Sequence, residues 1–214
     1  MDSPEVVYPP LKRAADRALA LALLVLLAPL LALALAAMGL DMLLCARDRG
    51  PFLYREQRVS GGRTFSLLKL RALRVEALAR QQDGEPHARL LEADPQNLTW
   101  AGRRLLKPWY LDELPQLWNV LRGDMSLVGP RPWPPSMVAA QVAAGQGYRT
   151  RVPAGFTGPA QVRKDLTAPE SYSRLDLEYV QALESWRPWR LLRYDLGLLW
   201  QTLKLLARGE GLRF

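Results

Sequence analysis

Cysteine and histidine are nearly absent: this chain of 214 residues carries one of each, Cys45 and His87. A lone cysteine excludes an intramolecular disulfide and is compatible with a reducing compartment; Cys45 reads as a small packing residue. With no second histidine and no cysteine near it, His87 supports neither a zinc site nor a catalytic triad, and reads as surface. Charge is missing from one long stretch. Ala18 to Leu40 is 23 residues without Asp, Glu, Lys or Arg, and also without Ser or Thr. The remaining chemistry therefore rests on carboxylates, lysines and arginines. Lys and Arg number 29 against 21 acidic residues, a formal +8, which favours anionic partners such as phospholipid headgroups, nucleotides or diphosphates. No nucleic-acid-binding module or basic stripe accompanies that charge, so nucleic acid is not an expected partner.

As one helix the apolar run reaches about 35 Å, enough to cross a hydrocarbon core of about 30 Å. Pro29 lies at its midpoint, removes a backbone donor and crowds the preceding turn, and no Ser or Thr is available to cover the freed carbonyls. A helix-break-helix that re-enters the same leaflet thus competes with a simple span. Lys12, Arg13 and Arg17 precede the run and Arg47, Arg49, Arg55 and Arg58 follow it, so both flanks carry the charge expected on the inner side of a membrane. A cleaved signal peptide is disfavoured by the length of the run and by Asp2, Glu5 and Asp16 ahead of it.

Further on, FLYREQRV and RTFSLLKL flank Ser60-Gly61-Gly62, which predicts a small β-hairpin. Lys69 and Arg71, two apart, would share a face and form a cationic pair suited to a diphosphate, or be two solvated charges. From Glu76 to Trp100 the chain turns polar without sustained periodicity and reads as a helix-and-loop insert. Leu114, Leu117, Trp118 and Leu121 then recur at helical spacing, with Pro115 in the first turn and Gly123 at the end, so a central helix is expected to start near Asp112. Asp112 could be its N-cap. The adjacent Glu113 exceeds what capping needs; two carboxylates at a helix start can instead act as nucleophile and metal ligand. Arg131 stands between Pro130 and Pro132, which restrict the backbone on both sides and pre-position a guanidinium fork suited to phosphate oxygens. Finally, Pro188 to Arg208 places Trp189, Leu192, Leu196, Leu199, Leu203 and Leu206 at spacings of three and four, an amphipathic helix whose tryptophans suit a membrane interface.

With these residues assembled, the chain resembles the bacterial sugar transferases, the polyprenyl-phosphate phosphoglycosyl transferases in their short monotopic form. The likeness runs from Lys12-Arg13 through Gly50-Pro51-Phe52, Gln57-Arg58-Val59 and Lys69-Leu70-Arg71. It is strongest from Leu111 to Pro132 and resumes at Gly155-Phe156-Thr157-Gly158 and Leu175-Asp176-Leu177-Glu178-Tyr179-Val180. The resemblance implies an α+β, mainly helical, membrane-associated enzyme. Its parts would be an N-terminal interfacial segment (1–17), a re-entrant membrane helix broken at Pro29 (18–41), a cytoplasmic catalytic domain (42–185) and a C-terminal amphipathic helix and tail (186–214).

It further implies transfer of a sugar 1-phosphate from a UDP-sugar to undecaprenyl phosphate at the cytoplasmic face of the inner membrane, with release of UMP. By position, Asp112 would be the nucleophile, Glu113 a Mg²⁺ ligand, and Lys69, Arg71, Lys107, Arg131, Gln161 and Asp176 substrate-binding residues. Membrane phospholipids are implied partners, and a homodimer is allowed but not required. Three departures from the family pattern touch the expected pocket: Lys107 in place of arginine, Pro153-Ala154-Gly155 in place of Arg-Pro-Gly, and Arg163-Lys164-Asp165 in place of Gly-Arg-Asn. The phosphate contact at 107 is expected to be weaker or differently placed, because an ammonium is a point charge and not a fork. A different class of function, a catalytically silent membrane scaffold for glycan assembly, would leave the Asp-Glu pair as a cap only.

Overall fold

The computed structural model describes residues 8–82, 88–163 and 169–208. His87, Lys164 and Asp165, each the subject of an expectation from sequence, lie outside the described residues. The elements are helices α1 (Pro10–Leu44), α2 (Val75–Gln82), α3 (Ala88–Glu92), α4 (Gln116–Arg122), α5 (Pro135–Ala143), α6 (Tyr148–Arg151), α7 (Pro169–Ser185) and α8 (Pro188–Ala207), with strands β1 (Leu53–Ser60), β2 (Arg63–Leu70), β3 (Ser126–Val128) and β4 (Gly155–Thr157). The protein is mainly helical with a little sheet, as expected.

The hairpin β1–β2 turns on Gly61 and Gly62, with φ of 54° and 74°. Two successive left-handed residues match the twist of a tight hairpin, and glycine reaches them without a Cβ penalty. The break expected at Pro29 is not found: α1 is one helix of 35 residues with Pro29 inside it. A proline costs a helix one hydrogen bond and a local clash, which a bend absorbs while the ladder resumes on either side. α1 is long and apolar enough to cross a membrane. Val25, Leu26, Leu33, Leu43 and Leu44 are all more than half exposed. Such a face is stable against lipid and costly against water, and it fits a membrane location.

Two compact units make up the chain. One draws on Met1–Leu23, Glu56–Leu67 and Gln116–Leu205, the other on Leu24–Arg55, Leu68–Pro115 and Leu206–Phe214. In the first, β3 and β4 pair in parallel, Ser126 opposite Gly155 and Val128 opposite Thr157. Ala154, in the departing Pro-Ala-Gly segment, is buried there, its N–H donating to Ser60 Oγ and its carbonyl accepting from Ser126 N–H. A buried polar network ties the start of α1 to α7 and α8. Lys12 Nζ reaches Asp195 at 2.6 Å and Asp16 at 3.4 Å, Tyr179 donates to Asp195 at 2.9 Å, and Tyr8 donates to Asp16 with Ser126 Oγ 2.8 Å from the same hydroxyl. Every charge in it has a partner, as burial demands. α8 forms as expected, but the residues it buries are Leu191 and Leu198, while Trp189, Leu196 and Leu203 of the predicted stripe, with Trp200, are exposed.

In the second unit, Ala34 and Met38 of α1 join Leu70, Leu73, Ala77, Leu91, Leu98, Ala101, Leu106, Leu111 and Leu114 in a single apolar core, with Leu27, Leu31 and Leu35 packed beside it. Those α1 positions recur every three or four residues, so one stripe of the helix is covered and the opposite stripe is the exposed leucine face. This core carries the segment from Thr99 to Leu114 on which the candidate site is built.

Candidate active site

Gly102 starts the site because it has no side chain: a Cβ there would lie 2.3 Å from the Ala72 carbonyl oxygen. That close approach seats a π-helical turn, Gly102–Leu106, closed by the Lys107 N–H on the Gly102 carbonyl at 3.0 Å. A π turn holds one residue more than an α turn and so rotates the next stretch of chain. Tyr110 then takes φ of 52°, and a 3-10 turn, Leu111–Glu113, comes directly after it. Asp112 therefore does not cap the central helix, which starts at Gln116. Its carboxylate points elsewhere, to Lys107.

Lys107 Nζ lies 2.7 Å from Asp112 Oδ2 and 2.5 Å from Glu92 Oε1 at the end of α3. All three groups are buried, Asp112 at 1% exposure, Lys107 at 4% and Glu92 at 7%. The second oxygen of Asp112, Oδ1, is buried and has no hydrogen-bond partner among the described residues. Burial pushes the Asp112 carboxyl above its ordinary value; Lys107 and Lys69 pull it back and Glu113 adds to the rise. For Lys107 burial acts downward, but Asp112 and Glu92 outweigh it and the ammonium is held well above its ordinary value. The arrangement is a fixed cation between two carboxylates, one of them with an uncommitted oxygen.

Lys69, buried on β2, contributes its charge to Asp112 and lines a shallow cleft with Tyr54, Arg71 and Glu92. Glu113 is half-buried beside the aspartate. Arg71 is not aligned with Lys69 as a free cationic pair. Its guanidinium donates to the carbonyls of Pro51 (2.8 Å), Leu73 (2.9 Å) and Asp48 (2.6 Å), and it is 1% exposed. The fork suits carbonyls as well as phosphate, and here it clasps the chain on both sides of the hairpin. The Asp112, Glu113, Lys107 and Lys69 expected from sequence thus come together, joined by Glu92, which sequence reading missed because the polar stretch around it has no periodicity.

Arg131, Gln161 and Asp176 belong to the first unit. Arg131 is exposed, and its carbonyl accepts from Arg149 Nη1 at 2.6 Å. Arg149 also donates to Asp176 at 2.6 Å and stacks over the Trp133 ring at 4.0 Å. Asp176, expected to meet substrate, is 1% exposed, with Oδ2 in that ion pair and Oδ1 buried without a hydrogen-bond partner among the described residues; burial pushes its carboxyl up to about 6 against the pull of Arg149. Arg149 was the second residue missed, since nothing local marks it. Gln161 is half-buried, with Oε1 enclosed and without a hydrogen-bond partner among the described residues, and Arg163 is exposed.

No group of three His, Cys, Asp or Glu that could hold a metal occurs among the described residues. A dedicated protein cage is therefore not what the site offers. Two adjacent carboxylates, with Asp112 Oδ1 uncommitted, do fit Mg²⁺, which keeps waters and substrate phosphates in its shell and takes one or two carboxylates from the protein.

A mainly helical α+β protein with one long apolar helix and a buried Asp-Lys-Glu cluster is the class the fold and site define. The profile of the family described as bacterial sugar transferase matches residues 7–209, and the chain belongs to that family. It is 37% identical over 217 residues to a UDP-glucose:undecaprenyl-phosphate glucose-1-phosphate transferase of Caulobacter vibrioides, an alignment covering 97% of this chain and 74% of that protein. It is 34% identical to a UDP-galactose-lipid carrier transferase of Erwinia amylovora, over 94% of this chain and 41% of that one. With an undecaprenyl-phosphate galactose phosphotransferase of Salmonella typhimurium it shares 36% identity over 77% of its length and 35% of the relative's. The chain thus spans about three quarters of the first relative and well under half of the other two.

Proposed function

We propose that this chain transfers a sugar 1-phosphate from a UDP-sugar to undecaprenyl phosphate by two displacements at Asp112. The observation that carries this reading is the uncommitted Oδ1 of a buried aspartate whose other oxygen is held by a lysine. In the first displacement Oδ1 attacks the β-phosphorus, the bond from that phosphorus to the bridging oxygen breaks, and UMP leaves with its electron pair. The sugar phosphate is then bonded to the carboxylate. In the second, a phosphate oxygen of undecaprenyl phosphate attacks the same phosphorus, and the Asp112 oxygen leaves as carboxylate. Splitting the transfer this way lets one site serve a soluble donor and a lipid acceptor.

Lys69 and Lys107 supply fixed positive charge where charge develops on the phosphoryl oxygens, in a site whose burial strengthens it. Glu113 would hold Mg²⁺, which when bound supplies charge neutralisation on the diphosphate. The relatives' names differ in the sugar, so the donor class is a UDP-sugar without further choice.

The exposed apolar face of α1 with basic residues at both ends, and the exposed tryptophans of α8, support the membrane part of the proposal. The reading is a monotopic protein on the cytoplasmic face, α1 bent at Pro29 to re-enter the inner leaflet, which brings the acceptor's phosphate to the headgroup level where the site works. The test is intact-mass spectrometry of the detergent- or nanodisc-held protein with UDP-sugar and Mg²⁺ but no acceptor. The expected result is a sugar-phosphate adduct mapped to Asp112 with one UMP released per protein; active protein that never carries the adduct overturns it.

A further inference from the structure

We infer that Glu92 is a positioning residue that holds Lys107 so that one of its N–H groups is kept for the transferring phosphoryl group. The inference deepens the reading above and rests on Asp112 as nucleophile. An ammonium has three donors. One meets Asp112 Oδ2 at 2.7 Å and one meets Glu92 Oε1 at 2.5 Å, which leaves a third whose direction is fixed by the other two. Without Glu92 the ammonium would have one anchor, and a four-carbon stem would let it turn and settle wholly on the nucleophile, neutralising it. With Glu92 the cation is shared, and Oδ1 keeps its freedom.

The backbone supports the same role. The π turn ahead of Lys107 and the exclusion of a side chain at Gly102 set the register from which the lysine reaches both carboxylates. Glu92 also lines, together with Lys69, the shallow cleft described above. A lysine tethered in this way replaces by anchoring what a guanidinium supplies by its rigid fork. Glu92 itself touches no reacting atom.

The experiment is a double-mutant cycle of Glu92→Gln and Lys107→Met, reading the single-turnover rate of UMP release and its half-saturating UDP-sugar concentration. Glu92→Asp serves as the conservative variant, and intact mass is the check on the parent. Members of one buried network couple by amounts that correspond to about tenfold in rate. Glu92→Gln is expected to slow UMP release about tenfold with the half-saturating concentration unchanged, Glu92→Asp to recover part of it, and Glu92→Gln to cost nothing further once Lys107 is Met. Equal cost in both backgrounds, or a change in donor affinity with the rate intact, would overturn the positioning role while the Asp112 adduct stands. Absence of the adduct in active parent protein would overturn both readings. Should Glu92→Gln fold poorly, the charge-free pair Glu92→Leu with Lys107→Met, compared with Lys107→Met alone, gives the same comparison: equal rates support the inference and a further loss overturns it.

Discussion

Replacing Asp112 with asparagine is expected to abolish turnover without weakening the fold. In the parent, two buried carboxylates share one ammonium, a local charge of −1 among the three side chains. Asparagine brings that sum to zero, keeps the shape, and leaves Lys107 paired to Glu92 at 2.5 Å. Because the parent sets two buried carboxylates against one ammonium and burial disfavours the ionised Asp112, the variant removes the unmatched charge, and its Tm is expected at or a little above the parent's at neutral pH. Loss of a nucleophile, by contrast, costs on the order of 10⁴ or more in rate. The sign with pH comes from the raised carboxyl of Asp112: its ionised form is disfavoured in the folded state, so its destabilising share is absent when the acid is protonated and grows as pH rises through the ordinary carboxylate range toward the raised value. The Tm advantage of Asp112→Asn should therefore be largest at neutral pH and vanish in acid. Tryptophan fluorescence melts of both proteins across pH, alongside UMP release, provide the assay, with seven tryptophans as reporters. A variant that melts several degrees below the parent at neutral pH would refute the electrostatic reasoning, and one that releases UMP at the parental rate would refute the nucleophile.

Arg71→Lys keeps the charge but cannot serve the carbonyls of Asp48, Pro51 and Leu73 together, so Tm should drop by about 5–10 °C, from buried acceptors left at about 1–3 kcal/mol each, while donor affinity is retained; loss of affinity with an unchanged melt would instead put Arg71 on the substrate. Arg149→Met leaves Asp176 buried without its partner, which costs about 3–5 kcal/mol where the carboxylate is ionised. Because that carboxyl already sits at about 6, the cost should be full at pH 7.5 and shrink below pH 6 as both proteins carry it protonated; chemical denaturation at pH 5 and 7.5 reads the difference. In a Cys45→Ser background, single cysteines replacing the exposed Arg13 and Arg47, on either side of the apolar run, should both be labelled from the cytoplasmic side of inverted vesicles. Labelling of only one would mean that α1 spans the bilayer.

The amino-acid sequence by itself determined the features that local periodicity and turn chemistry encode. An uncharged run became the exposed apolar helix, two glycines between alternating residues became the hairpin, and leucines and tryptophans at spacings of three and four became α8, with Trp189, Leu196 and Leu203 of that stripe left exposed. The Asp112-Glu113 pair was also legible, since adjacent carboxylates beside a helix start have few structural uses. Tertiary structure decided which partner each charge takes. Glu92 reaches Lys107 across a turn and a π-helical segment, Arg149 meets Asp176 from 27 residues away, and Arg71 spends its fork on carbonyls up to 23 residues distant. No local pattern encodes such pairings, because they depend on where the packed core brings distant side chains and on what burial forbids them to leave unpaired. Pro29 belongs with them: its ring is fixed by sequence, but whether a helix bends or stops there is settled by the packing of the turns on either side, and here Leu27 and Leu31 lie on the same core.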